Sequence, residues 1–372
     1  MSSLFEIAEV LQARPFLLNN ARAWRTYTGG RIIEQLHGSK TPADSNFPEE
    51  WIASATSARN AGREHIQNEG LSYLLEYPGV SLQELIAQNP VAFLGHRQAA
   101  RTRGQLGVLI KLIDSCERLS IQVHPTKKAA RALFGSEYGK TECWHILGGR
   151  TLQGEEPCIY FGFKPGITRR HWQQLFETQD IPGMLACLHR FAVKPGDTFL
   201  IEGGTPHAIG AGCFLAEIQE PTDYTIRTER TTPKGLQIAD SMCHQGLGFE
   251  KMFDCFEYTG LTAEETAARW RIAPTPLAAE GPGLVQQLVG YQHTSCFAMN
   301  TVVCRAAFSL PAGSTFSVLY VLEGGGSLVY HGGRLNVCAG SQVFLPAGLS
   351  QLTLVPNASS PFKLLHCFGP KV

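Results

Sequence analysis

The sequence lacks most of what would mark a nucleic-acid, membrane or secreted protein. Its 372 residues carry 32 Lys and Arg against 32 Asp and Glu, a formal net charge of zero. Nothing there draws in a polyanion, so nucleic acid is not an expected partner. No apolar run approaches the roughly 20 residues of a membrane-spanning helix, so no membrane is expected either. The opening "MSSLFEIAEVLQARP" has no basic segment followed by an apolar one, and it reads as a short folded stretch rather than a leader. There is no Cys-x-x-Cys. The 11 cysteines are odd in number and scattered singly, mostly in apolar stretches, which predicts free thiols in a reducing, cytoplasmic setting. Low-complexity segments are absent as well.

What is present is hydrophobic patterning cut by turns. The 44% hydrophobic content suits two or three domains or subdomains with their own cores, and 38 Gly and 21 Pro fit many short strands joined by turns. "SLQELIAQNPVAFLG" predicts a helix capped by Ser81 with Glu84 three residues on. "GVLIKLIDSCERLSIQVHP" predicts two strands around a turn, and "TKKAARALF" a short helix. "ITRRHWQQLFETQDIPGMLACLHRF" predicts a helix capped by Thr168, a break at Pro182 and a second short helix. From about 288 onward the chain alternates and turns at glycines, as a small barrel or jelly roll does. "KPGDTFLIEGGTPHAI" and "CAGSQVFLPAGLSQLTL" echo each other weakly. The expected fold is mainly β: two cupin-type jelly-roll β-barrels with an inserted helical region. The expected division is a first cupin domain over 1–160 plus 191–235, helical insert segments over 161–190 and 236–285, and a second cupin-like domain without metal ligands over 286–372.

Gln122 and His124 lie two apart in a β-like run, so they share a face while Val123 points away. Two polar groups on one face of an apolar strand need partners if buried. Glu142 opens a later strand, and His207 follows a Pro-Gly-Asp turn, a strand and a Gly/Pro corner, an order like that of a cupin motif. Gln122, His124, Glu142 and His207 converging would offer imidazole nitrogen with carboxylate and amide oxygen, a set suited to Zn²⁺ and also to Mn²⁺, Fe²⁺ or Co²⁺. Lys140 lies two residues before Glu142, Lys111 sits inside "LIKLID", and Arg227 follows Thr225 by two and Glu217 by ten. Cations this dense in apolar strands suggest an anionic ligand. His331, alone in a glycine turn, reads as structural.

The segments "LGVLIKLID", "LSIQVHP", "GKTECW", "KPGDTFLIEGGTPHAIGAG" and "EIQEPTDYTIR" resemble the type I mannose-6-phosphate isomerases, in the right order over most of the first 260 residues. The resemblance implies one zinc per chain on Gln122, His124, Glu142 and His207. It puts the catalytic arginine at Arg227 and the active-site lysine at Lys140. Ser120 and Lys111 fall near the substrate phosphate, and Glu217 and Asp223 near the reacting carbons. The sequence departs from the family where "TYTGG" replaces a Trp-Gly-Gly, and where Glu220 and Pro221 stand in a stretch that is often amide- and serine-rich.

The resemblance thus implies an intramolecular oxidoreductase, interconverting mannose 6-phosphate and fructose 6-phosphate through an enediol(ate), with a phosphosugar as its only expected partner and a monomer or homodimer as its state. Glu217 is a candidate general base; its alternative role is to orient Arg227 or His207. Two other readings stand beside the isomerase. A non-catalytic sugar-phosphate sensor would be marked by loss of Arg227 or Lys140, and both are present. An iron dioxygenase would be expected to show a His-x-His pair, or a two-His-one-carboxylate face with two or more open positions; Gln122 in place of a first His, together with the phosphate-suited cations, argues against it.

Overall fold

The structure is a computed structural model that describes residues 3–278, 283–311, 313–357 and 361–372. It is mainly β and built from four antiparallel sheets. One seven-stranded sheet runs in the order Arg271–Ile272, Thr198–Ile201, Glu142–Gly149, Cys213–Gln219, Leu109–Asp114, Glu49–Ile52, Ala21–Ala23. It faces a five-stranded sheet ordered Ile226–Arg227, Gln122–Val123, His207–Ile209, Cys158–Phe163, Leu188–Ala192. Ile113, Trp144, Ile146, Phe199 and Leu215 from the first sheet meet Ile159, Phe161 and Ile209 from the second in one core. A second pair, of seven and four strands, packs likewise around Leu319, Val321, Leu328, Val343 and Leu354.

The two seven-stranded sheets then pack on each other through their outer faces. Ile110, Leu112, Ala216 and Ile218 on one side share a core with Val318, Tyr320, Phe344 and Leu365 on the other. This is why "LIKLID" reads as an unbroken apolar run: the strand Leu109–Asp114 is buried on both faces along its whole length. Strand parity sends Ile110 and Leu112 to the sheet-sheet interface and Lys111 into the first sandwich. The outer face of the five-stranded sheet is covered by helices. Ile121, Val123, Ala208 and Ile226 pack there with Trp172, Phe176 and Met184. Their chain neighbours Gln122, His207 and Arg227 must therefore point inward.

Local expectations from the sequence meet the structure at several points. Ser81 and Glu84 form a reciprocal capping box on the helix Leu82–Gln88, and Thr168 caps Arg169–Thr178. Pro182 lies in the first turn of the helix Ile181–Ala186, where its missing N–H costs nothing; the break falls at Gln179, in the left-handed region. The second strand of the "LSIQVHP" run is only Gln122–Val123. Nine cysteines are buried and free, but Cys116 is half-buried and Cys338 is exposed. In the stretch 236–285 the helical pattern lasts to Trp270, after which Arg271–Ile272, Thr275–Ala278 and Gly283–Val289 are strands. The last two pair with each other, and Gly283–Val289 joins Ala298–Cys304 in the second sandwich. At the other edge of that sheet sits Phe16–Leu18, paired with Gln342–Phe344. The reason for the mismatch is packing: a strand is assigned by the neighbour it finds, and for Arg271–Ile272 and Phe16–Leu18 that neighbour lies far off in sequence.

Candidate metal centre and active site

Gln122 sits directly opposite His207 on one side and Arg227 on the other. Parity turns all three inward, and His124, just past the strand's end, follows Gln122. Glu142 comes from the facing sheet, as the first residue of its strand, opposite Gln219 and Ile201. One ligand atom from each of His124, Glu142 and His207 lies within 4.8 Å of the others, and all three residues are buried. It is the one such grouping of His, Cys, Asp and Glu among the described residues.

The hydrogen bonds fix what these atoms offer. His124 donates through Nδ1 to the carbonyl of Tyr224 at 2.9 Å, and His207 through Nδ1 to the carbonyl of Thr205 at 2.8 Å. Burial, followed by the Lys140 charge, pushes the His124 imidazole down to about 4, and burial also lowers His207. Both rings are therefore neutral near pH 7, with lone pairs on Nε2. Those two Nε2 atoms stand 3.2 Å apart, where neither can donate to the other. Glu142 approaches them at 3.1 and 3.5 Å. Burial favours its neutral acid, but the Lys140 charge beside it outweighs this and holds it well below the usual carboxylate range. Both Glu142 oxygens are buried without a hydrogen-bond partner. Lone pairs aimed at one another around an unpartnered carboxylate are a poor arrangement for protein alone and a good one for a cation. The Gln122 amide lies 3.3 Å from His207 Nε2, and a half-turn about its last torsion brings the oxygen to the same place.

A cleft beside this cluster has an open volume of about 500 Å³, solvent at its mouth included. Lys111, Ser120, Gln122, Lys140, Glu217, Asp223 and Arg227 all line it. Lys140 Nζ reaches His124 Nε2 at 3.0 Å and Glu142 at 3.4 Å, and burial lowers its pKa. The Arg227 guanidinium donates to the carbonyls of Thr225 and Met242 and makes no ion pair among the described residues. Lys111 is committed: its ammonium lies 2.9 Å from Glu217 and 3.8 Å from Glu49. Glu217 also accepts the Trp144 indole N–H at 2.9 Å. Asp223 is held by Arg25 at 3.2 and 3.3 Å and by the Arg59 backbone N–H.

Sequence reasoning missed Arg25, Tyr27 and Glu49. Glu49 accepts from Tyr27 Oη at 2.6 Å and Trp51 Nε1 at 2.8 Å, and it pairs with Arg25 at 2.9 Å. Their signal was available: Glu49 and Trp51 lie two apart, as Gln122 and His124 do, and so share the inward face. Thr28, in the "TYTGG" stretch, donates to Glu117 and accepts from Lys234 at 2.6 Å.

Residues 19–140 match the family model described as the phosphomannose isomerase type I catalytic domain. That match covers about a third of the chain. The match takes in Lys111, Ser120, Gln122, His124 and Lys140, and stops short of Glu142, His207, Glu217 and Arg227. The mannose-6-phosphate isomerase of Streptococcus mutans is 30% identical over 219 residues, 58% of this chain and 60% of that relative's length. A crystal structure of the mannose 6-phosphate isomerase from Bacillus subtilis superposes with a TM-score of 0.71 at 22% identity, covering 95% of this chain and 99% of that one. A zinc-bound mannose 6-phosphate isomerase gives 0.70 at 17% identity over 97% and 100%. At these identities the two structures speak for the fold.

Proposed function

We propose that the chain interconverts mannose 6-phosphate and fructose 6-phosphate, with zinc held by Gln122, His124, Glu142 and His207. The observation that carries this reading is the pair of facing imidazole lone pairs around the unpartnered Glu142 carboxylate, beside a cleft whose Arg227 makes no ion pair among the described residues. A bound zinc supplies a Lewis acid for the oxygens at the reacting carbons.

The chain's own residues supply the rest. A proton leaves C2 of the aldose and returns at C1, a second proton passes from O2 to O1, and the carbonyl thereby moves from C1 to C2 through an enediolate. Arg227 offers its guanidinium fork to the charge that develops on oxygen, from a site already desolvated. Lys140 places a second positive charge beside it. Glu217 faces the cleft and carries the proton between the two carbons. Lys111 and Trp144 fix its carboxylate in place, so its orientation is settled before substrate arrives. Since Lys111 is bound to Glu217 and Glu49, the phosphate falls to Ser120 more naturally than to Lys111.

A coupled assay of mannose 6-phosphate conversion tests the reading. Activity should vanish on chelation, return with zinc, and be absent from a folded His124→Ala variant. In deuterium oxide, Glu217→Gln should bind substrate yet fail to exchange the C2 hydrogen. A folded, zinc-loaded wild type that turns over no mannose 6-phosphate would leave the sensor reading in its place. Exchange that survives Glu217→Gln would make that residue a positioning group.

A further inference from the structure

A larger cavity lies elsewhere. On the same basis it has an open volume of about 1090 Å³, solvent at its mouth included, and it shares no lining residue with the cleft described above. Its wall is assembled from the end of the helix His96–Thr102, the helix Lys127–Phe134 with the loop after it, and the chain around Cys296 and Pro370. The charges on it are unbalanced. Arg101, Arg103, Lys127 and Arg131 face Glu137 and Glu220. Lys127 pairs with Glu220 at 3.3 Å and Arg131 with Glu137 at 2.9 Å. That consumes both carboxylates. Arg101 and Arg103 make no ion pair among the described residues, although each lies close enough to Tyr138 for its charge to act on the phenol.

Glu220 adds a second, independent observation. It is only 1% exposed, and its Oε2 accepts the Thr141 backbone N–H at 3.1 Å. Its Oε1 is buried, with the Lys127 ammonium 3.3 Å away but no hydrogen bond of good geometry. A carboxylate oxygen so placed on a cavity wall has room for a better-aligned donor, and a hydroxyl would supply one.

We propose that this cavity is a second ligand site, for a small phosphomonoester that also carries hydroxyl groups. The two unpaired guanidiniums match the near-dianionic charge and the planar oxygen edges of a phosphate. The hydroxyls meet Glu220. The site does not depend on the isomerase reading, since none of its residues belongs to that machinery.

Isothermal titration on the zinc-loaded Arg227→Ala protein, in which the substrate cleft is weakened, provides the test. The probes are inorganic phosphate and glycerol 1-phosphate. Both should bind, glycerol 1-phosphate several-fold more tightly. Adding Arg101→Glu and Arg103→Glu should weaken both by about tenfold or more, as loss of charge-assisted phosphate contacts implies. The same pair of changes in the wild-type background should leave kcat for mannose 6-phosphate within about twofold, since a decade in rate needs 1.36 kcal/mol. Should the reversals not fold, Arg101→Gln with Arg103→Gln removes the same charges. No phosphate binding in Arg227→Ala, or binding that ignores Arg101 and Arg103, overturns the site. Equal affinity for the two probes overturns the hydroxyl-bearing class of ligand.

Discussion

Glu142→Gln separates a carboxylate kept for a cation from one kept for the fold. The amide has nearly the same volume, so packing is preserved while the buried charge goes. In the metal-free wild type both carboxylate oxygens are unpartnered, and Lys140 at 3.4 Å offsets only part of the cost. An unsatisfied buried group costs about 1–3 kcal/mol, so the metal-free variant should be more stable than the metal-free wild type by that order. Zinc should reverse the ranking. At about a thousand times its Kd, a ligand that binds only the native state adds about 4 kcal/mol. With an unfolding entropy of about 2.1 cal/mol/K per residue, the 372-residue chain has about 0.8 kcal/mol/K, so wild type should melt about 5 °C higher with zinc. The variant should move little. Differential scanning calorimetry on chelated and zinc-restored samples, with metal content measured in each, reads both effects. A variant that gains as much from zinc as wild type refutes the reasoning. So does a zinc-free wild type that melts where the loaded one does.

Other outcomes follow from the same geometry. Arg227→Lys keeps the charge but loses the planar fork, and should lower kcat by about a hundredfold with a smaller change in KM, measured in the coupled assay. Acid stability should fall in two stages that lie outside the metal cluster. Burial pushes His145 down to about 4 and His366 down to about 3. Their stabilising effect is complete above the unfolded value near 6.5 and is lost as pH falls through those lower values, because only the unfolded chain takes up the protons readily. Denaturant titrations from pH 7 to 3 should show a shallower decline for His366→Gln, and an unchanged slope would count against it. Gly29→Ala should be severely destabilising, since a Cβ there would come within 1.8 Å of the Asp114 carbonyl oxygen, a backbone atom with nowhere to go. Ile218→Ala, at the interface between the two large sheets, should cost about 2–5 kcal/mol in chemical denaturation while leaving zinc content intact.

Much of the cluster was legible because strand parity is a strict rule. Gln122 and His124 had to share a face, and Val123 had to oppose them. The apolar outer positions Ile121, Val123, Ala208 and Ile226 determine which face that is. The commitment of Lys111 to Glu217 and Glu49 was not legible, because sequence spacing carries no information about which cation meets which carboxylate across a sheet. Arg25 escaped for the same reason: its partner Asp223 is 198 positions away. The strands Phe16–Leu18 and Thr275–Ala278 also escaped notice. Each is short, lies at a sheet edge, and carries little pattern of its own.

The edge strand Phe16–Leu18 also bears on biosynthesis. Its hydrogen-bonding partner is the strand Gln342–Leu345, and the Gln342 side chain ties the same region to Glu50 and to the Ala53 backbone. A ribosome releases the first of these segments long before it makes the other. For most of translation the early strand has an open edge and the first sandwich an uncovered apolar face. A nascent chain in that condition is a natural client for a chaperone, and a library of truncations should show solubility recovering only once the segment around 345 has been included.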